Sequence, residues 1–359
     1  MRIGYYLHWD LSSESGVLKK VMAQIRAWQN LGANVHLFAI SHQLPVCPEL
    51  AEFPITVLPN GSYLTRNHQV FKLINKILDW KPDIVYTRFA TYYPALEVLM
   101  KKIPVIMEVN TDDRAENRLA HSAVRNLYHS ITRARLLSGA KGLVFVTHEL
   151  AQRFAWKGPQ TVVANGISLD AIPWATPVQN ATPRLIFLGQ SMSVDKNKPA
   201  DWHGLDRLEC LAENCPDWRF DIIGLNADQF TRPLNNVFFH GHMKASEYSA
   251  IVSLADIGIG SLAFHRISIF EASPLKVREY LAYGLPVIVA YTDTDFINGA
   301  PFLHQLPPDD TLTAQQINAV RDFVYAWLGQ RVNRGAIAHL DWQIKERERI
   351  AFFRRVLNL

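Results

Sequence analysis

Residues 270 to 290 read FEASPLKVREYLAYGLPVIVA, a helix followed by a turn and a strand. Ser273-Pro274 suits a helix start, Leu275 to Tyr283 run as the helix, and Gly284 stands where a cap is needed. The Gly284-Pro286 turn leads into the apolar run Val287 to Ala290, which reads as a strand buried on both faces. Free N–H groups at the start of such a helix also make a diphosphate site.

Outward from this stretch the same alternation recurs. Toward the N-terminus come Leu185 to Leu188, Phe220 to Ile223, Val237 to His240 and Ile257 to Ile259, separated by helical stretches such as HGLDRLECLAENC. The first half repeats it, with Ile3 to Leu7, Val35 to Ile40, Ile84 to Thr87, Val105 to Val109, Gly142 to Val146 and Gln160 to Ala164. Between its first two strands, GVLKKVMAQIRAWQNLGANV puts Val17, Val21, Ile25, Trp28 and Leu31 on one helical face, with Gly32 as the stop. Strand, loop, helix and strand make a Rossmann-type opening unit. The prediction is an α/β chain with parallel, doubly wound sheets.

A length of 359 residues, 48% hydrophobic and 19% charged, exceeds what one core usually holds, so two domains are expected. The aperiodic stretch IPWATPVQNATPR, residues 172 to 184, has linker chemistry. It divides the chain into an N-terminal domain, 1–172, and a C-terminal domain, 173–335. A charged terminal helix, 336–359, carries Leu340, Ile344, Ile350, Phe353 and Leu357 near one face and is expected to pack back on the first domain.

Three cysteines (Cys47, Cys210, Cys215) without a CxxC pair suggest neither a disulfide scaffold nor structural zinc, and fit a reducing cytoplasm. MRIGYYLHWD lacks the basic and apolar regions of a signal peptide, and no run approaches about 18 apolar residues. The expectation is a cytoplasmic protein, soluble or peripheral on the inner face of a membrane. Net charge is +4 and the pI about 8.9, which favours anionic ligands or lipid surfaces without requiring nucleic acid.

Glu271 and Glu279 stand eight positions apart, ahead of the AYGLPVIV turn and strand. Spacing, turn and strand together resemble the E-x7-E signature of the GT4-like retaining glycosyltransferases, the glycosyl transferases group 1. The resemblance implies a GT-B fold, two Rossmann-like domains facing a cleft, and a hexosyltransferase with a nucleotide-sugar donor and no obligatory metal or other cofactor. It implies that Glu279 accepts from the ribose hydroxyls and that Glu271 lies by the transferred sugar. Ser273, Leu275 and Lys276 fall at the helix start, where Lys276 adds a point charge for phosphate; lysine is also a common exposed helix residue.

Other segments resemble the family in the same order. VVANGISLD, 162 to 170, is similar to its Asn-Gly turn near the end of the first domain, and VFFHGHMKASEYSAIVSLADIGIGS, 237 to 261, to its strand, glycine turn and short helix. Gly241, His242 and Met243 are thereby candidates for the base. Where family members carry Gly-Arg and later Lys-Gly as phosphate cations, this chain has Gly189-Gln190 and His203-Gly204, with Lys196 or Lys198 between them. In the first domain only Gly16 remains of a glycine pair that approaches the donor. A dinucleotide fingerprint is missing, which disfavours NAD. Glu108 and Asn110, in EVNTDD, are catalytic-cleft candidates; the same residues also suit a polar strand-to-helix cap.

Two further features stay open. Asp293-Thr294-Asp295 has the spelling of a metal-binding DxD, but follows a strand and reads as a loop. In RAENRLAHSAVRNLYHSITRARLLSGAK, Arg114, Arg118, His121, Arg125, His129 and Arg133 recur at helical steps, with Leu119, Ala123, Leu127 and Ile131 on another face. The basic face suits anionic lipid or a pyrophosphate-linked acceptor, or else is merely solvated. The resemblance implies transfer to a glycan or lipid-linked acceptor, in envelope polysaccharide synthesis. A nucleotide-sugar epimerase of the same architecture and a catalytically idle subunit of a glycan assembly complex are the alternatives.

Overall fold

The computed structural model describes residues 1–12, 15–62, 65–89, 91–114, 123–189 and 201–359. The chain divides into two compact units, Met1–Ala164 with Trp342–Leu359, and Asn165–Asp341. The division falls before the 172–184 linker. That segment is irregular as expected, yet it packs into the second unit: Trp174 Nε1 donates to the Val332 carbonyl, Ala175 N to Tyr283 O, and Asn180 Nδ2 to Asp256. A stretch with linker composition is here a strap on one core.

In the first unit the strands are β1 (Arg2–Trp9), β2 (Asn34–Ser41), β3 (Ile55–Pro59), β4 (Ile84–Arg88), β5 (Val105–Val109), β6 (Gly142–Phe145) and β7 (Gln160–Val162). They form one parallel sheet in the order β3-β2-β1-β4-β5-β6-β7. The helices are α1 (Gly16–Asn30), α2 (Arg66–Trp80), α3 (Pro94–Lys102), α4 (Ala123–Gly139) and α5 (His148–Phe154). Strand β3 is absent from the sequence reading, although Ile55, Val57 and Leu58 are apolar; at the edge of the sheet it is only half-buried, with Pro59 exposed. The strand order reverses beside β1, and in open α/β sheets the crevice at such a switch point, beyond the carboxyl ends of the strands, is where ligands bind.

The second unit repeats the arrangement with β8 (Arg184–Leu188), β9 (Arg219–Ile223), β10 (Val237–Gly241), β11 (Ile257–Ile259), β13 (Val287–Val289) and β15 (Leu303–Gln305), parallel in the order β10-β9-β8-β11-β13-β15. Its helices are α6 (Leu205–Asn214), α7 (Ala245–Leu254), α8 (Leu275–Ala282) and α9 (Ala314–Trp327). A two-stranded pair, β12 (Glu271–Ala272) with β14 (Thr292–Asp293), flanks the start of α8. Gly284 caps that helix at φ +84, with Leu285 N donating back to Tyr280 O.

Each sheet carries a core on either face. One core of the first unit joins α1 to the terminal helix α10 (Trp342–Leu357) through Val21, Ile25 and Trp28 against Ile350, Phe352 and Phe353; the other gathers α2 and α3. The helix stop at Gly32 holds, with φ +81. In α1 the buried face also takes Lys20 and Gln24, which apolar periodicity does not reveal.

Candidate active site

The start of α8 is built by hydrogen bonds from a distant turn. Asn165 N donates to Ser273 Oγ at 2.9 Å and Asn165 Nδ2 to the Ser273 carbonyl at 2.6 Å. Arg278, fully buried, donates from Nε to Asn165 O, from Nη2 to Ser273 Oγ at 2.9 Å, and to both oxygens of Asp293 at 2.7 and 2.8 Å, with Asp295 at 2.8 Å. The Asn-Gly turn and the SPLK segment are thus one structure. The Asp293-Thr294-Asp295 spelling is the counter-charge of Arg278, with Asp293 in β14. Its loop reading holds only beyond that residue. Sequence reasoning overlooked Arg278, since nothing in its helical position distinguishes it from a surface arginine.

On this frame Lys276 sits in the first turn of α8. Its Nζ is buried 3.9 Å from the centre of the Phe187 ring and has no hydrogen-bond partner among the described residues. Burial lowers its pKa to about 7. The His203 ring meets the same Phe187 edge-on at 5.5 Å, so the two cation candidates converge on the residue that ends just before Leu188-Gly189. Gly189 N donates to Ile223 O, and a Cβ there would press on Leu225 and Phe187. Gln190 and Lys196 lie outside the described residues, as does Lys198.

Glu279 stands one turn on from Lys276 in α8, and Tyr248 OH donates to its Oε1 at 2.7 Å. Glu271 is half-buried in β12. Leu275 opens α8, half-buried, after Pro274. Gly241 ends β10 with φ +66, its carbonyl accepting from Gly224 N, while His242 is exposed and Met243 packs against the α8 core. His240 is turned to Asp221, at 2.7 Å.

In the first unit Glu108 is 0% exposed. Its carboxylate takes Lys20 Nζ at 3.0 Å, Arg349 Nη2 and Gln24 Nε2 at 3.3 Å, and Asn110 Nδ2 at 3.0 Å. Burial alone would raise its pKa, but the Lys20, Arg349 and Arg88 cations hold it far below the usual carboxylate range. Glu108 is therefore a positioning residue inside the sheet. The expectation that it lies on a cleft surface fails because α1 and α10 bring two cations over it. Asn110, held by Lys20 at 2.8 Å, does line a cavity. Gly16 opens α1 behind the N-cap Ser15, whose hydroxyl accepts from Leu18 N.

That cavity, about 700 Å³, lies at the carboxyl ends of β1 and β4, next to Trp9, Arg88, Tyr93 and Asn110. Helix α4 borders it, with an orientation opposite to the basic-face reading. His129 and Arg133 turn inward onto Asp113, at 2.5 and 2.7 Å, and Val124, Leu127 and Ile131 point to solvent at 78, 63 and 64% exposure. Of the basic positions, His129 and Arg133 are covered by Asp113, while Leu127 and Ile131 of the apolar face are left to solvent. Arg114 is exposed on the segment before α4, while Arg118, His121 and the Arg125 side chain lie outside the described residues. No helix among the described residues is long and apolar enough to cross a membrane, and none of their His, Cys, Asp and Glu side chains cluster as a metal site.

Residues 15–171 match the family model for Glycosyltransferase Family 4. No curated protein matches the sequence. Among solved structures, a glycosyltransferase from Rickettsia africae ESF-5 superposes with a TM-score of 0.71 at 16% identity, over 99% of this chain and 98% of that one. Sucrose-phosphate synthase from Thermosynechococcus elongatus gives 0.68 at 14% identity, over 99% of both chains. HepE from Anabaena, solved in complex with UDP-glucose, gives 0.65 at 16% identity, over 99% of this chain and 100% of that one. Residues 15–171 thus match Glycosyltransferase Family 4, and the two parallel sheets have the fold of these glycosyltransferase structures, the GT-B fold.

Proposed function

We propose that the protein is a retaining glycosyltransferase that moves a sugar from a nucleoside-diphosphate sugar to a glycan or lipid-linked acceptor. The observation that carries this reading is Lys276. A buried amine without an acceptor among the described residues is costly to maintain, and this one stands at the start of an eight-residue helix whose first N–H groups favour anions. Diphosphate oxygens satisfy both. Glu279, oriented by Tyr248, takes the ribose hydroxyls, and Glu271 takes the transferred sugar.

In the reaction the bond from the anomeric carbon to the diphosphate oxygen breaks. A bond to the acceptor oxygen forms on the same face, and the acceptor's hydroxyl proton passes to the departing diphosphate. Lys276 and the helix start stabilise the charge that develops there. These are protein cations and dipoles, and the reading requires no metal.

The exposed Val124, Leu127 and Ile131 stripe supports peripheral contact with a membrane, which suits lipid-linked or envelope polysaccharide synthesis on a cytoplasmic face. The test is to incubate the protein with UDP-, GDP- and ADP-sugars, with and without membrane extract, beside Glu279→Ala. Nucleotide release from one donor, lost in the variant, supports transfer. Isomerised donor without release would replace it with the epimerase, and tight nucleotide binding without turnover with the idle subunit.

A further inference from the structure

We infer that the cavity of the first unit binds a phosphate-bearing sugar, and that this is the acceptor. The second half of that statement rests on the transferase reading above; the phosphate chemistry does not.

The cavity occupies the switch point of its sheet, at the ends of β1 and β4. Two guanidinium groups line it, Arg66 from the first residue of α2 and Arg88 from the last residue of β4. Neither has a hydrogen-bond or ion-pair partner from its side chain among the described residues, and Arg66 Nε is buried as well as unsatisfied. The nearby carboxylates are already committed. Glu108 is shared by Lys20 and Arg349, and Asp113 by His129 and Arg133. Arg88 feels Glu108 only at longer range, and arginine in a recess without a carboxylate in contact is matched by a ligand carrying an anion, for which its planar fork suits phosphate.

The rest of the wall suits a sugar. Tyr6 is 4% exposed, lines the cavity, and has a hydroxyl without a partner among the described residues. Trp9, under the Arg88 guanidinium at 5.5 Å, and Tyr93, stacked on His8 at 5.4 Å, offer aromatic faces. A volume of about 700 Å³ is that of a small-molecule site.

The experiment is isothermal titration of the full chain, without donor, with glucose, glucose 6-phosphate, inorganic phosphate and a polyprenyl-diphosphate sugar in detergent micelles. Wild type is compared with Arg66→Gln, Arg88→Gln and Tyr6→Phe. The expected result is that a phosphorylated sugar binds at least roughly 10-fold more tightly than glucose, that inorganic phosphate competes, and that each arginine variant loses roughly 10-fold. Binding of glucose 6-phosphate assigns a soluble source, and arginine-dependent binding of the micellar ligand alone assigns a lipid-linked one. Failure of both, or equal binding by wild type and Arg66→Gln, overturns the inference. Arg66 opens a helix at the surface and decides the matter should Arg88→Gln not fold. Arginine-dependent sugar-phosphate binding without any nucleotide binding would sink the transferase reading and keep the phosphate site; transfer to a neutral sugar, indifferent to phosphate, would do the reverse.

Discussion

Lys276 and Glu108 are both buried ionisable residues, and their surroundings give them opposite roles. Lys276 packs on the Phe187 ring with no hydrogen-bond partner among the described residues, so burial brings its pKa to about 7 and it is largely neutral above that pH. A bound diphosphate restores the charge. Nucleotide binding above pH 7 should therefore take up a proton, seen as a dependence of the calorimetric heat on the ionisation heat of the buffer, and Lys276→Met should abolish it. Glu108 is surrounded by cations, so its folded pKa lies below the unfolded value. The stability it contributes is present above the unfolded pKa and is lost as pH falls through and below it. Glu108→Gln should cost about 3–5 kcal/mol at neutral pH by leaving the buried Lys20 without its carboxylate, while Arg349 keeps Glu346, and denaturant titrations should show the gap to wild type narrowing below about pH 4. Both residues are visible as candidates in the sequence; the sign of each shift is not, because it depends on partners as distant as Arg349.

The elements divide into those declared by local pattern and those decided by packing. Helix α8 announces its end at Gly284, where the left-handed backbone and the Trp174 indole, 2.6 Å from where a Cβ would stand, both exclude a side chain. Gly284→Ala should destabilise by at least about 1 kcal/mol in thermal or denaturant unfolding. In helix α10, whose apolar face includes Phe353, that residue is 0% exposed and meets Trp28 edge-on at 5.6 Å, while Glu346 accepts from the Trp28 indole at 2.6 Å. Phe353→Ala should cost about 3–5 kcal/mol by the same measurement. In α4 the burial of His129 and Arg133 follows from Asp113, sixteen residues before His129. Replacing Val124, Leu127 and Ile131 with serine should reduce co-sedimentation with anionic vesicles while leaving the melting temperature nearly unchanged, since none of the three is buried.

At the scale of the molecule, each unit encloses its own pair of cores, so unfolding is expected in two transitions. The nucleotide site proposed at α8 belongs to the second unit. Nucleotide at 100 times its Kd should stabilise that unit by about 2.7 kcal/mol. Scanning calorimetry should show one transition moving upward, and neither moving in Glu279→Ala.

The alternation of apolar runs and amphipathic stretches determined, without any coordinates, that this chain folds as two parallel α/β units. It did so because strands covered on both faces and helices with one apolar stripe are local patterns. The SPLK helix with Glu271 and Glu279 was legible for the same reason, as spacing within one segment. Tertiary structure alone decided that Asn165, Arg278, Asp293 and Asp295 make one latch under that helix, that Glu108 is an interior anchor, and that Arg66, Arg88 and Tyr6 share a cavity. Those associations join residues from different strands and helices, and burial, counter-ions and unmet hydrogen bonds exist only once the sheet has brought them together.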